Sequence, residues 1–244
     1  MDDVKKIEIK RIDSKSANNF IRTYHYSGKV VVNSQLHFGA FLDGKLHGVL
    51  SLGPSLDKRK MMGIVKDTGW NEFIELNRMA FDGYMPRNSE SRAISVVIRL
   101  LKKHAPQIKW IVSFADATQC GDGTIYRASG FCLTGIKVNE NSAIRPDGVV
   151  EHKMKYESNP VSTGYTKINH GKNDWHNFCR VMGWKTLKGY QIRYIKFIDE
   201  SYKDKLTVPI LPYSKIDEMN AGMYKGEKVT VLNRHHGKNE QTTK

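Results

Sequence analysis

Cysteine is scarce in this sequence: Cys120, Cys132 and Cys179 are the three in 244 residues, with no CxxC pair among them. The odd count leaves at least one thiol unpaired in a monomer. Both a disulfide framework and a cysteine-only zinc site are therefore disfavoured. Long apolar runs are missing too; none approaches the roughly 20 residues of a membrane-spanning helix. The opening MDDVKKIEIK lacks the apolar stretch of a secretory signal, so the expectation is a cytoplasmic protein with no membrane association. No internal repeat is visible. Acidic residues are the minority charge, 25 Asp and Glu against 39 Lys and Arg, a formal net +14. Such an excess points to a polyanionic partner or to phosphates on a cofactor, with a merely solvated basic surface as the equal alternative. A hydrophobic fraction of 39% is enough for a core and excludes wholesale disorder.

The periodicities alternate between strand and helix. Ile7–Ile12 alternates apolar and polar residues, and Ala17, Phe20, Ile21 and Tyr24 then form a helical stripe behind a cap at Asp13 or Ser14. That helix stops near His25-Tyr26-Ser27-Gly28. LHFGAFL and KLHGVLSL, joined by Asp43-Gly44, read as a hairpin, because Asp-Gly tolerates the positive φ of a two-residue turn. Residues 53–70 read as a loop carrying Lys58-Arg59-Lys60. A strand at Phe73–Phe81 follows. Ile94, Val97, Ile98 and Leu101 then mark an amphipathic helix, with Asn88 or Ser89 as its cap, basic residues in its last turn and Pro106 beyond. A strand at Lys109–Ala115, a short helix at Gly123–Gly130, and strands near Phe131–Val138 and Val149–Tyr156 complete an α/β order. It implies a mixed sheet with helices packed on it.

Past Tyr156 the character changes. SNPVSTG resembles a linker, and residues 160–244 carry 15 Lys and Arg against 8 Asp and Glu, compared with 24 against 17 in residues 1–159. The expected organisation is a catalytic core at 1–158, a basic C-terminal extension at 159–225 packed on it, and a disordered tail at 226–244. Within the extension the reading places a short helix around Trp175–Gly183 and a strand at Gln191–Ile198.

Several residues stand where chemistry is possible. A strand, a polar turn and an open helix N-terminus form an anion site, and Arg87-Asn88-Ser89-Glu90-Ser91-Arg92 lies at such a turn, with Arg78 flanking it. Ser89 and Ser91 equally suit capping. Asp116 sits at the carboxyl end of a strand, where open α/β sheets gather ligands, or else caps the next helix. Lys58, Arg59 and Lys60 on a loop, and Lys185, Lys188, Arg193 and Tyr194 among the aromatics of the extension, suit a nucleic-acid track; a small aromatic core with solvating lysines is the alternative. His170, Asp174 and His176 make a weak metal pattern in a loop-like setting.

The strand, turn and helix around Arg87, followed by Tyr126 on a short helix and Gly130-Phe131, resemble the GNAT acyltransferase superfamily. Glu90 and Arg92 stand where its usual glycines fall. A narrower resemblance covers the departure. His25-Tyr26-Ser27, Glu75-Leu76-Asn77-Arg78, Asn88-Ser89-Glu90-Ser91, Phe114-Ala115-Asp116, Gly123-Thr124-Ile125-Tyr126, Arg193-Tyr194-Ile195 and Val208–Tyr213 occur in the order seen in the Mom-like phage DNA-modification proteins, a divergent GNAT branch. That resemblance spans most of residues 7–215. It implies a GNAT-like, mostly antiparallel central sheet flanked by helices. The implied activity is a transferase that modifies the exocyclic amine of adenine in double-stranded DNA with a carbamoylmethyl group, protecting phage DNA from restriction. Acetyl-CoA or a related acyl-CoA is the implied donor, bound by Arg78, Arg87, Asn88, Ser89, Glu90, Ser91 and Arg92. His25, Tyr26, Asp116 and Tyr126 are the implied catalytic residues, and His25 with Asp116 the candidate ligands of an iron ion. A bacterial host cytoplasm would be the setting. A conventional N-acetyltransferase and a non-enzymatic DNA-binding protein remain the competing expectations, and the oligomeric state is undetermined.

Overall fold

In the computed structural model, which describes residues 3–119, 121–224 and 227–228, the chain builds a seven-stranded sheet. After a 3-10 turn at Asp3–Lys6 come β1 (Glu8–Arg11) and α1 (Ser14–Tyr24). The hairpin β2 (Leu36–Leu42) and β3 (Lys45–Gly53) turns at Asp43-Gly44, both with positive φ. A short helix α2 (Lys58–Met62) replaces part of the expected loop, because the Asp57 carboxylate accepts from the Lys60 N–H and starts a turn there. Then follow β4 (Phe73–Phe81), α3 (Ser89–His104), β5 (Trp110–Asp116), α4 (Thr124–Ala128) and β6 (Cys132–Val138).

The next fifty residues do not extend the sheet. β7 (Ser142–Ile144) and β8 (Val150–His152) form a small separate sheet. They are followed by α5 (Lys153–Ser158), α6 (Tyr165–Ile168), α7 (Trp175–Val181) and β9 (Lys185–Thr186), which pairs with β7. The strand expected through Tyr156 therefore ends at His152. Its ring Nδ1 accepts from the Met154 N–H and starts α5 instead. This module has its own core of Tyr156, Tyr165, Trp175, Phe178 and Cys179, against which Trp184 packs. Cys132 and Cys179 are free thiols; Cys120 lies outside the described residues.

The chain then re-enters the main sheet. β10 (Tyr190–Phe197) lies between β5 and β6 and pairs antiparallel with both, giving the order β1-β2-β3-β4-β5-β10-β6. The division expected at 158/159 thus does not follow the topology: residues 139–189 are an insertion between two sheet strands, and part of the supposed extension is a central strand. A 3-10 helix at Glu200–Lys205, the bridge from Leu211 to Leu133 on β6, α8 (Ser214–Glu218) and a two-stranded ribbon of β11 (Met223–Tyr224) and β12 (Glu227–Lys228) follow. Apart from Glu227 and Lys228, the tail expected at 226–244 falls outside the described residues.

The two faces of the sheet are set by period-two alternation. On β3, Val49 joins Ala17, Phe20 and Ile21 of α1 while Leu50 and Leu52 turn to the opposite face with Ala93, Ile94, Val97 and Leu101 of α3. On β4 the register shift opposite Ser51 and Leu52 breaks the alternation, so that Leu76 joins the α3 face and Ala80 the α1 face. Every pairing in the main sheet is antiparallel except β4 with β5. Parallel neighbours need a crossover, and α3 supplies it. Among the described residues no helix is long and apolar enough to cross a membrane.

β10's position has a measurable consequence. Ile195 is fully buried beside Trp110 and Val112. Ile195→Ala is expected to lower the unfolding free energy by about 2–5 kcal/mol in chemical denaturation, as for a core strand. A loss below about 1 kcal/mol, typical of a surface position, would contradict the central placement.

Candidate active site

β4 and β5 are hydrogen-bond partners over three residue pairs only, Phe73–Glu75 with Trp110–Val112. Beyond Glu75 the ladder stops. The Ser113 hydroxyl donates to the Leu76 carbonyl at 3.1 Å just past that vertex. β5 instead remains fully paired with β10 to Asp116, and β4 remains paired with β3. Two strands held on their outer sides and released on their inner sides open a cleft in the sheet, and the sequence's polar motifs converge on it.

The first of these motifs ends α1. His25 caps the helix through its N–H to the Ile21 carbonyl, and the Gly28 N–H returns to the His25 carbonyl at 2.8 Å. Gly28 has φ +59°, a left-handed turn that its missing Cβ permits. The turn fixes the His25 ring. Its Nδ1 accepts the Ser27 backbone N–H at 3.1 Å and lies 2.8 Å from the Ser27 hydroxyl. A backbone N–H can only donate, so the neutral ring carries its proton on Nε2. Burial first, and the nearby Arg78 guanidinium second, push the His25 pKa down to about 4. At neutral pH His25 is thus an uncharged N–H donor.

Tyr26 follows, its ring 4.3 Å from that of His25 and its hydroxyl 3.4 Å from Oδ2 of Asp116. This contact joins residues 90 apart in sequence. The Asp116 carboxylate also accepts the Thr118 N–H at 3.1 Å and the Gln119 amide at 3.4 Å. Arg78, on β4, donates from Nε to the Lys29 carbonyl and from a terminal nitrogen to the Asn77 carbonyl. It thereby ties the chain after α1 to the cleft rather than flanking the turn before α3. Tyr126 packs against Tyr194 and Phe131, with ring centroids 5.3 and 5.5 Å away.

Two further ionisable groups reach this site: His152, which no sequence signal singles out, and Glu75, which the sequence offers only as part of the Glu75–Arg78 motif. His152, from the insertion, is half-buried; burial lowers its pKa, Asp116 opposes that shift, and Lys29 and Arg78 add to it. Glu75 stands at the vertex, where burial raises its pKa and the neighbouring polar groups of Ser55 and Asn77 and the charge of Arg78 oppose the shift.

A second feature lies at the N-terminus of α3. Asn88 is left-handed, φ +72°, and its side chain caps nothing. The helix therefore starts without a side-chain cap from Asn88, while the Ser89 N–H bonds the Pro86 carbonyl. A cavity of about 390 Å³ opens there, lined by Asn88, Ser91, Arg92, Ser95, Arg99 and Ser129 among others. Asn88, Ser91 and Arg92 are residues the sequence points to. Ser95 and Arg99 are not, although they continue the polar side of α3 one and two turns beyond Ser91. Ser89 is a correction: it is fully buried, and its hydroxyl and N–H both bond the Pro86 carbonyl, so it shapes the turn and its hydroxyl is not presented to a ligand. Arg87 is exposed, and Glu90 lies in the first turn, where its charge favours the helix dipole.

The cations expected to meet nucleic acid divide. Arg59, Lys60, Lys185 and Lys188 are exposed. The Lys58 ammonium sits over the Trp70 ring, 4.4 Å from its centroid. Tyr194 and Arg193 are corrections. Tyr194 is fully buried with its hydroxyl on the Asp122 carbonyl, and Arg193 donates to the carbonyl and hydroxyl of Thr134 across the β10–β6 ladder. Both belong to a central strand and neither is presented to a strand of DNA.

The residues present do not fit an iron ion. Among the described residues no three His, Cys, Asp or Glu side chains group to hold a metal. The His25 ring has its Nδ1 engaged and its proton on Nε2, which leaves it no lone pair to offer. His176 faces Glu140 at 3.7 Å and Asp174 caps α7, which disposes of the weaker pattern.

A family model described as the Mom protein family matches residues 6–215. The chain is 33% identical over 220 residues to the methylcarbamoylase mom of Escherichia phage Mu, covering 86% of this chain and 85% of that protein. Among solved structures, the ribosomal-protein-S18-alanine N-acetyltransferase of Escherichia coli aligns with a TM-score of 0.43 at 14% identity, over 79% of this chain and 94% of that one. A Bacillus subtilis acetyltransferase in complex with CoA aligns at 0.42 and 10% identity, over 79% and 99%.

The lowered pKa of His25 makes stability depend on pH. Between pH 6.5 and about 4 the unfolded chain binds a proton that the folded chain does not. Stability is expected to fall as the pH drops through that window, by up to about 1.4 kcal/mol per unit from this group. Urea unfolding at a series of pH values should show a shallower fall for His25→Gln. Parallel curves for the two proteins would show that His25 titrates normally.

Proposed function

Because the chain belongs to the Mom protein family, we propose that it transfers a carbamoylmethyl-type group to the exocyclic amine of adenine in double-stranded DNA, drawing on an acyl-CoA-related donor. The contact between Tyr26 and Asp116 carries this reading: it brings two polar motifs 90 residues apart together at a cleft in the sheet. A transferase needs an acceptor site and a donor site on one cleft, and the α3 cavity supplies the second.

The adenine amine is a poor nucleophile because its lone pair is delocalised into the ring. As it attacks, its nitrogen gains positive charge and must lose a proton. Asp116, a carboxylate at the strand end in hydrogen-bond reach of the Tyr26 hydroxyl, is the acceptor for that proton. His25 presents a neutral Nε2–H, suited to stabilising negative charge that develops on the donor. It is not a base, since its pKa lies near 4. The bond formed joins the amine nitrogen to a methylene carbon of the donor, the bond broken is the one from that carbon to its leaving group, and Tyr126 is assigned the protonation of that leaving group. The product type joins the amine through a methylene carbon, so attack at a thioester carbonyl would make the wrong bond.

The donor's phosphates fit the α3 turn. The start of α3, with its dipole, and two basic side chains, Arg92 and Arg99, line one cavity. DNA phosphates are assigned to Arg59, Lys60, Lys185 and Lys188, all exposed. Protection of phage DNA from restriction, in a bacterial cytoplasm, follows as the biological use of such a mark.

Mass spectrometry of nucleosides from DNA of expressing cells should show a heavier adenine species. Asp116→Ala should reduce it by about a hundredfold or more, the scale of general base catalysis. Unmodified DNA together with turnover of an acyl-CoA on another amine would overturn the reading. In steady-state kinetics Arg99→Ala should raise the KM for the CoA donor about tenfold, the worth of one charged hydrogen bond, with kcat unchanged. Affinity for duplex DNA should drop with salt at a slope of about −0.9 per phosphate neutralised, and a flat dependence would remove DNA as the ligand of the basic surface.

A further inference from the structure

An adenine amine inside a duplex cannot reach a cleft floored by β-strands, so its base must leave the stack, and the vacated step must be held open. The surface beside the cleft carries an unusual pair of side chains. Val32 is 97% exposed and Leu56 is 79% exposed, at the tips of two adjacent loops. Isolated apolar residues on a surface are ordinary. These two stand on loops that touch each other, and the loops are braced. The Asn33 amide donates to the Pro54 carbonyl at 3.0 Å, joining the loops to each other. The Ser34 hydroxyl donates to Asn77 on β4 at 3.1 Å, and the Gln35 N–H donates to the Leu52 carbonyl at 2.8 Å. Gly53 lets the first loop lie against the sheet, for a Cβ there would stand 2.5 Å from the Asn33 carbonyl oxygen.

We propose that Val32 and Leu56 form an apolar wedge that enters the base stack of duplex DNA next to the target adenine and holds the vacated step open. The wedge rests on the reading that duplex DNA is the substrate. Three observations favour that partner. The Val32 loop is continuous with the acceptor side of the cleft, since the Lys29 carbonyl accepts from Arg78. Cations flank the wedge: Lys29 lies three residues before Val32, and Arg59 and Lys60, on the helix that begins just after Leu56, are exposed. An apolar tip between cations suits a base step between phosphates, as minor-groove wedges illustrate in other proteins. Finally, Val32 is β-branched and its loop is pinned on both sides, so insertion costs little side-chain or loop entropy.

The experiment compares two duplexes, one with the target adenine paired to thymine and one with it facing an abasic site, where displacing the base costs least. Wild type and the Val32→Ser/Leu56→Ser double variant are assayed on both. Both positions are exposed, and circular dichroism with thermal unfolding establishes that the variant is folded. The expected result is a loss of about tenfold or more on the paired duplex, with activity on the abasic-site duplex within about twofold of wild type, because only the first needs unstacking. Val32→Ile should retain wild-type activity on both. 2-Aminopurine at the target position should brighten on binding wild type and stay dim with the double variant. Equal losses on both duplexes, or no loss on either, overturn the wedge while leaving the substrate reading intact. A wild type inactive on both duplexes overturns the substrate reading and the wedge with it.

Discussion

The parallel pairing of β4 with β5 ends after three residues, and the site depends on that interruption. Antiparallel partners on the outer sides, β3 from Glu75 to Phe81 and β10 from Trp110 to Asp116, hold the two strands past the point where they part. The inner edges therefore cannot close by moving the strands together without breaking those ladders. The crossover helix α3 must leave from the open end of β4, which puts its N-terminus beside the cleft. One constraint thus supplies both a gap between the strands and a dipolar helix end beside it, the two places to which the proposed function assigns the reacting groups and the donor's phosphates. The Ser113 hydroxyl, bonded to the Leu76 carbonyl, satisfies a backbone group that the departing ladder would otherwise leave unpaired.

Around that gap the protein manages charge by placement. His25 sits near the Arg78 guanidinium and under partial burial, and both disfavour a second positive charge. Its backbone contact to Ser27 fixes which nitrogen carries the proton. The result is an uncharged N–H donor at His25, while Asp116 is held by an N–H, an amide and a phenol. Two residues that the resemblance offers together as metal ligands thereby sit in different electrostatic settings. Arg78, which looks like a phosphate ligand in sequence, has donors committed to backbone carbonyls and acts on its neighbours through charge.

The insertion changes how the basic half of the chain is understood. A composition shift after Tyr156 is real in the sequence, yet it does not mark a domain end. The segment with the aromatic cluster is a small module with its own core, and the chain then returns as a central strand between β5 and β6. Arg193 and Tyr194 owe their positions to that return. Their proximity to basic residues in sequence has no counterpart on the surface. The module does contribute to the site by a different residue, His152, which the pairing of β8 with β7 places in the electrostatic neighbourhood of Asp116.

Local signals were legible wherever the physics is local. The stripe of Ala17, Phe20 and Ile21, the Asp43-Gly44 turn, the α3 stripe and the His25–Gly28 stop each depend on neighbours within one or two turns of chain, and each is found. The motif order was enough to identify the family, and the motifs at His25, Tyr26 and Asp116 named the residues at the cleft. The sequence could not decide which strands are neighbours. Hydrophobic alternation in β10 is the same whether the strand is central or peripheral, because period-two burial records facing and not sheet order. It also could not say that Ser89 is buried, that Lys58 rests on Trp70, or that His152 approaches Asp116. Those facts are set by contacts between segments tens of residues apart, and only the tertiary structure, which closes those distances, determines them.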